Sequence, residues 1–224
     1  LNFLPYISSN LTGFRDKYYD RVNYETPDLN YGVGVNLDLS KNLSFEATLN
    51  PDFSQVESDR TRIDVNSPTA INYPERRPFF NRGIDIFNYS LDVFYSRSIN
   101  NPEFATKLLN QGKKSRLYIL TAVDKDSPYL VPTNFESFSG LGGRSFNNVI
   151  RYENILSPNS RLGGILSNRF YEGDAYGNLY GLNGLFNFSN SWKFRFEYFG
   201  SANREPIADW IDSDKTFSKY TVRL

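Results

Sequence analysis

The chain has 224 residues, and its 25 basic and 25 acidic residues leave no net charge. A nucleic-acid-binding protein normally carries a net basic face, so the composition does not favour that class of protein. The chain contains neither Cys nor His, which excludes disulfides, thiolate metal sites and any mechanism that needs an imidazole.

Helical membrane spans are excluded as well. A spanning helix needs about eighteen or more consecutive apolar residues, whereas the longest apolar tract, residues 117–123, is interrupted by Thr121. A β-barrel wall is compatible with the mean hydropathy of −0.51, because only alternate residues of its strands face lipid. Residues 1–14 lack the basic start and apolar core of a signal peptide, so we expect a processed chain or a portion of a longer protein.

Alternation of apolar and polar residues predicts long β-strands. In residues 29–39 every second side chain, from Leu29 to Leu39, is apolar, and the intervening positions are Asn, Gly or Asp. Successive side chains of a strand point to opposite faces, so the apolar set shares one surface. Strands of soluble proteins usually have about five or six residues, whereas a transmembrane strand needs about nine to eleven. The length of this segment therefore favours a membrane.

Ten candidate strands follow one another in up-and-down order: residues 3–13, 29–39, 43–50, 92–99, 116–123, 149–156, 162–171, 179–188, 192–200 and 217–224. If the strands alternate in direction, the short polar turns at residues 40–42, 157–160 and 189–191 fall on one side. The long connections, residues 14–28, 51–91, 124–148, 172–178 and 201–216, fall on the other. Only the connection 100–115 departs from this pattern, because it is long although it falls on the side of the short turns. Short periplasmic turns with long extracellular loops are typical of bacterial outer-membrane barrels.

Aromatic side chains occupy every second position in the strand predicted at residues 192–200. We expect Trp192, Phe194, Phe196 and Tyr198 to share one face and to contact lipid, because charged residues fill the positions between them. Trp and Tyr favour the membrane–water boundary. Aromatic residues also suit strands in general, so each of them alone says little.

The connection between residues 50 and 91 combines many charges with several prolines. Proline removes a backbone donor, so the segment is not expected to be wall strand throughout. We predict that it folds into the lumen as a plug or caps the mouth, with two arginines facing the carboxylates of Glu57 and Asp59 and two phenylalanines packing as anchors. The candidate residues are Asp52, Glu57, Asp59, Arg76, Arg77, Phe79 and Phe80. The alternative is a solvated surface loop with scattered charges.

Two weaker chemical interpretations concern acidic residues. Asp52 with Glu57, or Glu57 with Asp59, resembles the paired carboxylates of glycosidases, which lie about 5 to 10 Å apart. Acidic residues in an arginine-rich segment are more often structural ion pairs, so we expect no catalytic residues and no enzyme. Asp209, Asp212 and Asp214 offer oxygen ligands for Ca²⁺. Their loop lacks the ligand pattern of an EF-hand, so we predict a solvated loop with neither metal nor cofactor.

Three motifs carry a family resemblance. Residues 50–59 read Asn-Pro-Asp-Phe-Ser-Gln-Val-Glu-Ser-Asp, residues 73–80 read Tyr-Pro-Glu-Arg-Arg-Pro-Phe-Phe, and residues 94–99 read Phe-Tyr-Ser-Arg-Ser-Ile. This series resembles the DUF5916 family of Gram-negative outer-membrane β-barrel domains of unassigned function, which often follow a family 9 carbohydrate-binding module. Arg82-Gly83 replaces the usual Glu-Gly, and Ser98 replaces the second Arg of a Ser-Arg-Arg run. The resemblance implies a barrel strand at the third motif, a longer parent protein, and a role in glycan handling or surface assembly.

We therefore expect an all-β fold, a single domain over residues 1–224 that forms a whole or partial antiparallel, up-and-down transmembrane β-barrel. The expected function is that of a non-enzymatic protein of the cell outer membrane: a channel, a surface scaffold or a subunit of an assembly. Its partners would be outer-membrane lipid, with other outer-membrane proteins or surface glycans, and not nucleic acid. The alternative is a surface or soluble β-sandwich that binds carbohydrate through exposed aromatic residues, with glycoside hydrolysis a distant third.

Overall fold

The computed structural model describes residues 1–11, 13–15, 22–24, 26–53, 74–132, 137–141, 143–189, 191–204 and 221–223. Its strands are β1 (Asn2–Asn10), β2 (Gly13–Arg15), β3 (Val22–Tyr24), β4 (Asp28–Asp38), β5 (Leu43–Leu49), β6 (Pro102–Gln111), β7 (Ser115–Asp124), β8 (Pro128–Pro132), β9 (Ser137–Leu141), β10 (Ser145–Ser157), β11 (Ser160–Tyr171), β12 (Tyr176–Asn187), β13 (Lys193–Arg204) and β14 (Thr221–Arg223). A short helix, α1 (Pro78–Asn81), and two 3₁₀ helices (Ile84–Phe87 and Ser96–Ser98) lie between β5 and β6. In the described ranges no helix is long and apolar enough to cross a membrane.

One large sheet contains ten of these strands, in the order β1-β4-β5-β6-β7-β10-β11-β12-β13-β14. All neighbours in this sheet pair antiparallel. The pairs β2–β3 and β8–β9 form two separate hairpins. Within the described residues β1 and β14 are the edges and do not pair with each other, so this sheet is open rather than closed. The predicted all-β, antiparallel, up-and-down architecture is confirmed at this level.

Strand length and turn length follow the sequence pattern. β4 has 11 residues, β10 has 13, and β11, β12 and β13 have 12 each. These strands are longer than the usual length of about five or six residues. The short connections β4–β5, β6–β7, β10–β11 and β12–β13 lie at one end of the strands, because every strand reverses direction. The long connections β5–β6 and β7–β10 lie at the other end.

The prediction of a strand at residues 92–99 is wrong. This stretch is irregular apart from the 3₁₀ helix Ser96–Ser98, and the carbonyls of Ser96 and Ile99 accept hydrogen bonds from the Arg77 guanidinium instead of a neighbouring strand. The strand that pairs with β5 is β6. Lys107 lies at the centre of β6 and interrupts its apolar pattern. The long connection predicted at residues 100–115 is therefore a strand followed by a tight turn.

Two hairpins lie in segments predicted to be irregular. The pair β2–β3 overlaps the predicted connection 14–28, and β8–β9 lies inside the predicted connection 124–148. Their strands have three to five residues. Alternation over so few positions is too short to be distinguished from a loop.

The two faces of the large sheet differ chemically. Residues 74–101, called the inner segment from here on, pack against one face, which we call the inner face. Strand register places Glu46 opposite Lys107 on the inner face, and Phe45 opposite Leu108 on the outer face. On β4 the apolar positions Leu29 to Leu37 fall on the outer face, as the sequence predicts.

Candidate functional site: the inner segment and the charged sheet face

The apolar core lies between the inner segment and the sheet. Phe80, Ile86 and Ile99 of the inner segment are at most 3% exposed. They form one cluster with residues of β6, β7 and β10, namely Ala105, Leu109, Tyr118, Leu120, Ala122 and Val149. The rings of Phe87 and Tyr118 meet edge to face, with centroids 5.0 Å apart. Burying such a side chain is worth about 1.5–3 kcal/mol, so the segment is held to the sheet by apolar packing as well as by charge.

Arg77, like Arg151, is one of the largest fully buried side chains in the described part of the chain. Its Nε and Nη2 donate to the two carboxylate oxygens of Glu75 at 3.0 and 2.8 Å. Its Nη1 donates to the carbonyl of Ile99, and its Nη2 also donates to that of Ser96. The guanidinium carbon lies 4.2 Å from the centroid of the Phe80 ring. Arg77 therefore ties the beginning of the inner segment to its end.

The Glu75 carboxylate is the counter-ion of this buried guanidinium. Burial by itself would raise the pKa of the Glu75 carboxyl, but the hydrogen bonds and the charge of Arg77 outweigh burial and hold that pKa below its usual value. The Ser96 hydroxyl donates to the same carboxylate at 2.6 Å. Glu75 is thus ionised at neutral pH, which suits a structural ion pair and not a general acid.

A second ionic cluster joins the inner segment to β5 and β6. Lys107 Nζ lies 3.1 Å from Glu46 Oε2, and the two side chains are 0% and 5% exposed. The same ammonium donates to the carbonyls of Phe79 and Arg82. The Arg82 guanidinium in turn contacts Glu46 at 3.0 Å. A buried charge is tolerated only with such partners, so these bonds fix the position of the segment over the two strands.

A third cluster lies on β7 and β10. Arg151 Nη2 is 3.2 Å from Glu153 Oε2, and both side chains are buried. Arg151 Nε donates to the carbonyl of Ile86 at 3.2 Å. Arg116 pairs with Asp85 of the inner segment. In each of the three clusters, therefore, a cationic side chain of the sheet or of the segment binds a backbone carbonyl or a carboxylate of the inner segment.

The inner segment also reaches strands far apart in the sheet. Ser90 donates from its backbone N and its hydroxyl to Glu197 on β13, and Arg82 lies 3.7 Å from Asp38 on β4. β4 and β13 are separated by six other strands in the sheet order. The inner segment therefore contacts the inner face across most of the width of the sheet.

Tyr89 packs between side chains of β10 and β13. Its ring lies 5.1 Å from that of Phe199 on β13 and 5.0 Å from the guanidinium carbon of Arg151 on β10. Burial raises the pKa of Tyr89 to about 12. In the described part of the chain its buried hydroxyl has no hydrogen-bond partner. The residue therefore acts as a neutral aromatic contact between the segment and β13.

The outer face presents apolar side chains to its surroundings. Many of them are at least 40% exposed, on strands from β1 to β13: Phe3, Ile7, Leu29, Tyr31, Leu49, Phe104, Phe146, Ile150, Tyr152, Leu162, Leu166, Phe170, Tyr180, Leu182, Phe194 and Tyr198. Monomeric soluble proteins seldom expose contiguous apolar patches larger than a few hundred Å². Such an extended apolar surface indicates an apolar environment or a partner.

The aromatic set predicted on the last long strand lies on this outer face. Phe194, Phe196 and Tyr198 alternate along β13, and Trp192 precedes the strand with 75% of its side chain exposed. The Phe186 ring on β12 lies 6.5 and 6.4 Å from those of Phe194 and Phe196. The predicted shared face is present. Contact of these rings with lipid stays a prediction.

The predicted plug residues have different positions. Arg77 and Phe80 are buried in the inner segment, Phe79 is half-buried beside them, and Arg76 is exposed. The carboxylate bound to Arg77 in the described structure is that of Glu75, which the sequence analysis did not select. Asp52 is half-buried and lies at the end of the described range 26–53. Glu57 and Asp59, and with them the proposed carboxylate pairs, lie outside the described residues.

The remaining charges of the site were missed in the sequence. Glu46, Lys107, Arg151 and Glu153 all lie within strands, at positions that face the inner side. The available signal was the alternation itself, which puts these charges on one face of each strand. The sequence predicted a plug segment, but it did not indicate that these strand charges would be the contacts of that segment.

No metal site is formed in the described ranges, where no three acidic side chains come together in a metal-binding group. The Ca²⁺ candidates Asp209, Asp212 and Asp214 lie outside the described residues, so the solvated loop expected there stays a prediction.

These features define a class of protein in which a large antiparallel sheet carries an internal segment on buried ion pairs. Residues 1–118 match the family described as Domain of unknown function (DUF5916), and because this match covers more than half of the chain, the chain belongs to that family. The matched part contains β1 to β6 and the inner segment. No curated protein and no solved structure matches the chain.

Proposed function

We propose that the chain is a non-enzymatic wall of an outer-membrane β-barrel, with lipid against its outer face and the inner segment in its lumen. The distribution of polarity carries this proposal. Apolar side chains are exposed on the outer face, whereas the buried residues of the inner face include charged pairs such as Glu46 with Lys107. A soluble protein has the opposite arrangement. Lipid hydrocarbon would remove the apolar surface from water.

The need to pair backbone hydrogen-bonding groups in a membrane supports a wall in which both edges of the sheet have partner strands. An unpaired N–H or C=O group costs several kcal/mol in hydrocarbon, about as much as any single side-chain contact can supply. In the described structure β1 and β14 bound an open sheet. In a bilayer these two edges would be paired by closure of the sheet, by further strands or by another outer-membrane protein.

The contacts of the inner segment favour a filled lumen over an open pore. The segment bridges β4, β5, β6, β7, β10 and β13 through ion pairs and hydrogen bonds. The buried carboxylates of Glu46, Glu75 and Glu153 each have a cationic partner, which supports a structural role for them. A surface scaffold, a subunit of an assembly or a gated channel is consistent with this arrangement. A link to glycan handling rests on the family resemblance alone.

The β-sandwich alternative receives less support. In the described ranges the strands form one large sheet and two hairpins, rather than two stacked sheets. The face that a second sheet would cover in a sandwich is the exposed apolar outer face.

Quenching of tryptophan fluorescence by brominated lipid tests the proposal. In a Trp192→Phe/Trp210→Phe background, a single tryptophan is introduced on β12 by Leu182→Trp, which faces outward, or by Leu179→Trp, which faces inward. Both proteins are refolded into phosphatidylcholine vesicles with brominated acyl chains. We expect strong quenching for Leu182→Trp and little for Leu179→Trp. Equal quenching of the two, or a protein that remains dispersed and monomeric without detergent, would contradict a lipid-facing wall.

A further inference from the structure

A cavity of about 100 Å³ lies between the inner segment and strands β10 and β11. Phe94 of the segment and Val149 of β10 supply apolar wall, while Ser98, Ser167 and Arg169 supply polar groups. A cavity of about 150 Å³ accommodates benzene, so this one has room for a ligand of about four non-hydrogen atoms. Its lining is apolar on one side and cationic on the other.

Among the described residues, Arg169 differs from Lys107 and Arg151 in having only neutral partners. Its Nε donates to Asn147 Oδ1 at 2.6 Å, its Nη2 to Ser98 Oγ at 2.5 Å, and its Nη1 to the Pro128 carbonyl at 3.4 Å. By contrast, Lys107 and Arg151 each lie against a carboxylate. A guanidinium has five N–H donors, so two remain on the Nη atoms of Arg169. Its positive charge and these donors are available to an anion in the cavity.

A buried chain of hydrogen bonds holds this guanidinium in place. Asn147 Nδ2 donates to Ser145 Oγ at 2.9 Å, and Ser127 Oγ donates to Asp124 Oδ2 at 2.9 Å. The hydroxyls of Ser145 and Ser127 are bonded to each other, which leaves the Ser145 proton to point at Ser127. Because the Asn147 amide nitrogen is committed to Ser145, its oxygen faces Arg169. The carboxylate at the end of this chain is fully buried and separated from Arg169 by three neutral side chains.

We propose that this cavity binds a short-chain monocarboxylate, of the size of acetate or propionate. The carboxylate would accept charge-assisted hydrogen bonds from the two remaining N–H groups of Arg169, and the short alkyl group would lie against Phe94 and Val149. The apolar wall favours a carboxylate over inorganic phosphate. This site depends on the cavity and on Arg169, and it does not depend on whether the outer face contacts lipid.

Titration of the full chain, folded in detergent micelles, with ¹³C-labelled acetate or propionate tests the site. Binding is read from line broadening and chemical shift of the ligand. We expect saturable binding to the unaltered protein and binding weaker by about tenfold or more in Arg169→Gln, because a charge-assisted hydrogen bond is lost. Arg161→Gln is the matched control, since Arg161 lies on the same strand and pairs with Glu153 instead. Its affinity should equal that of the unaltered protein.

A second variant keeps the test decisive if Arg169→Gln does not fold. Ser167→Leu leaves the guanidinium intact but fills the cavity, so it should abolish binding. Absence of saturable binding to the unaltered protein, binding unchanged in Ser167→Leu, or phosphate that binds where propionate does not would each overturn the proposal.

Discussion

Glu46 and Lys107 lie opposite each other in the β5–β6 register and form an ion pair of 3.1 Å that is almost completely buried. The lysine also donates to two backbone carbonyls of the inner segment, those of Phe79 and Arg82. One ammonium thus joins two strands and the segment that covers them. The pair is part of the interface between the sheet and the inner segment and is not a surface ion pair. Its removal therefore tests how the segment is attached.

Lys107→Met should destabilise the fold by about 3–5 kcal/mol, because it leaves a buried carboxylate with the half-exposed Arg82 as its remaining cation. The free energy of unfolding in detergent, measured by urea titration, checks this value. Lys193→Met, at an exposed lysine of β13, is the control and should change little. The double variant Glu46→Leu/Lys107→Met should recover part of the loss. Equal stability of Lys107→Met and Lys193→Met would show that the pair contributes nothing.

Arg77→Ala should release the inner segment. The change removes the guanidinium that binds Glu75 and the carbonyls of Ser96 and Ile99, and it leaves Glu75 buried without this cation. We expect faster chymotrypsin cleavage within residues 74–101 and a higher conductance in planar bilayers. Arg76→Ala is the matched control, because the neighbouring Arg76 is exposed.

Two results would count against the plug. The first is cleavage that is equally fast in both alanine variants. The second is an unaltered protein that already conducts as an open pore, with no increase in Arg77→Ala.

The faces of the strands could be predicted from the sequence because alternation is a local property. The apolar set of β4 and the aromatic set of β13 lie together on the outer face, as expected from period two. Short polar turns correctly predicted which strands pair at residues 40–42, 157–160 and 189–191. The prediction fails where alternation is interrupted. Lys107 interrupts the apolar pattern of β6, and the motif containing Ser96 forms a 3₁₀ helix instead of the predicted strand.

The candidate site could be predicted only in part, since its contacts are between residues distant in sequence. Arg77 and Phe80 were selected from composition and prolines, and both are buried in the inner segment. In the described residues the carboxylate bound to Arg77 is that of Glu75, two residues away. The predicted partners Glu57 and Asp59 lie outside the described residues, so their pairing stays a prediction. Nothing local to Arg169 indicates that it would face a cavity with neutral partners. That property depends on where Ser98 and Asn147 are brought by the fold.

Acid should weaken the attachment of the inner segment through Glu75. The pKa of this carboxyl is lowered in the folded protein, despite the opposing effect of burial, by Arg77 and the Ser96 hydroxyl. A group with a lowered folded pKa contributes stability above its unfolded pKa, about 4.3 for Glu, and that stability is lost as pH falls through the folded value. Glu75→Gln should therefore be less stable than the unaltered protein at pH 7, and the difference should shrink below about pH 4. Melting temperatures of both proteins between pH 7 and pH 3 measure this. A difference that is constant over the whole range would contradict the assigned role of Glu75.

Gly83 provides a test of how closely the inner segment approaches the sheet. Its φ of 83° lies in the left-handed region, and a Cβ added there would come within 2.6 Å of Leu109 Cδ1 on β6. Gly83→Ala therefore combines backbone strain of about 1–2 kcal/mol with displacement of the segment from its apolar core.

Gly173→Ala separates the two costs. Gly173 has a φ of 87° but nothing within 4 Å of an added Cβ, so its substitution involves the backbone strain alone. We expect Gly83→Ala to be the more destabilising by about 1 kcal/mol or more, and to increase chymotrypsin cleavage of the inner segment, which Gly173→Ala should leave unchanged. Urea unfolding in detergent gives the first comparison, and mass spectrometry of the cleavage products gives the second. If the two variants behave alike, the close approach of Gly83 to Leu109 does not contribute to the attachment of the segment to β6.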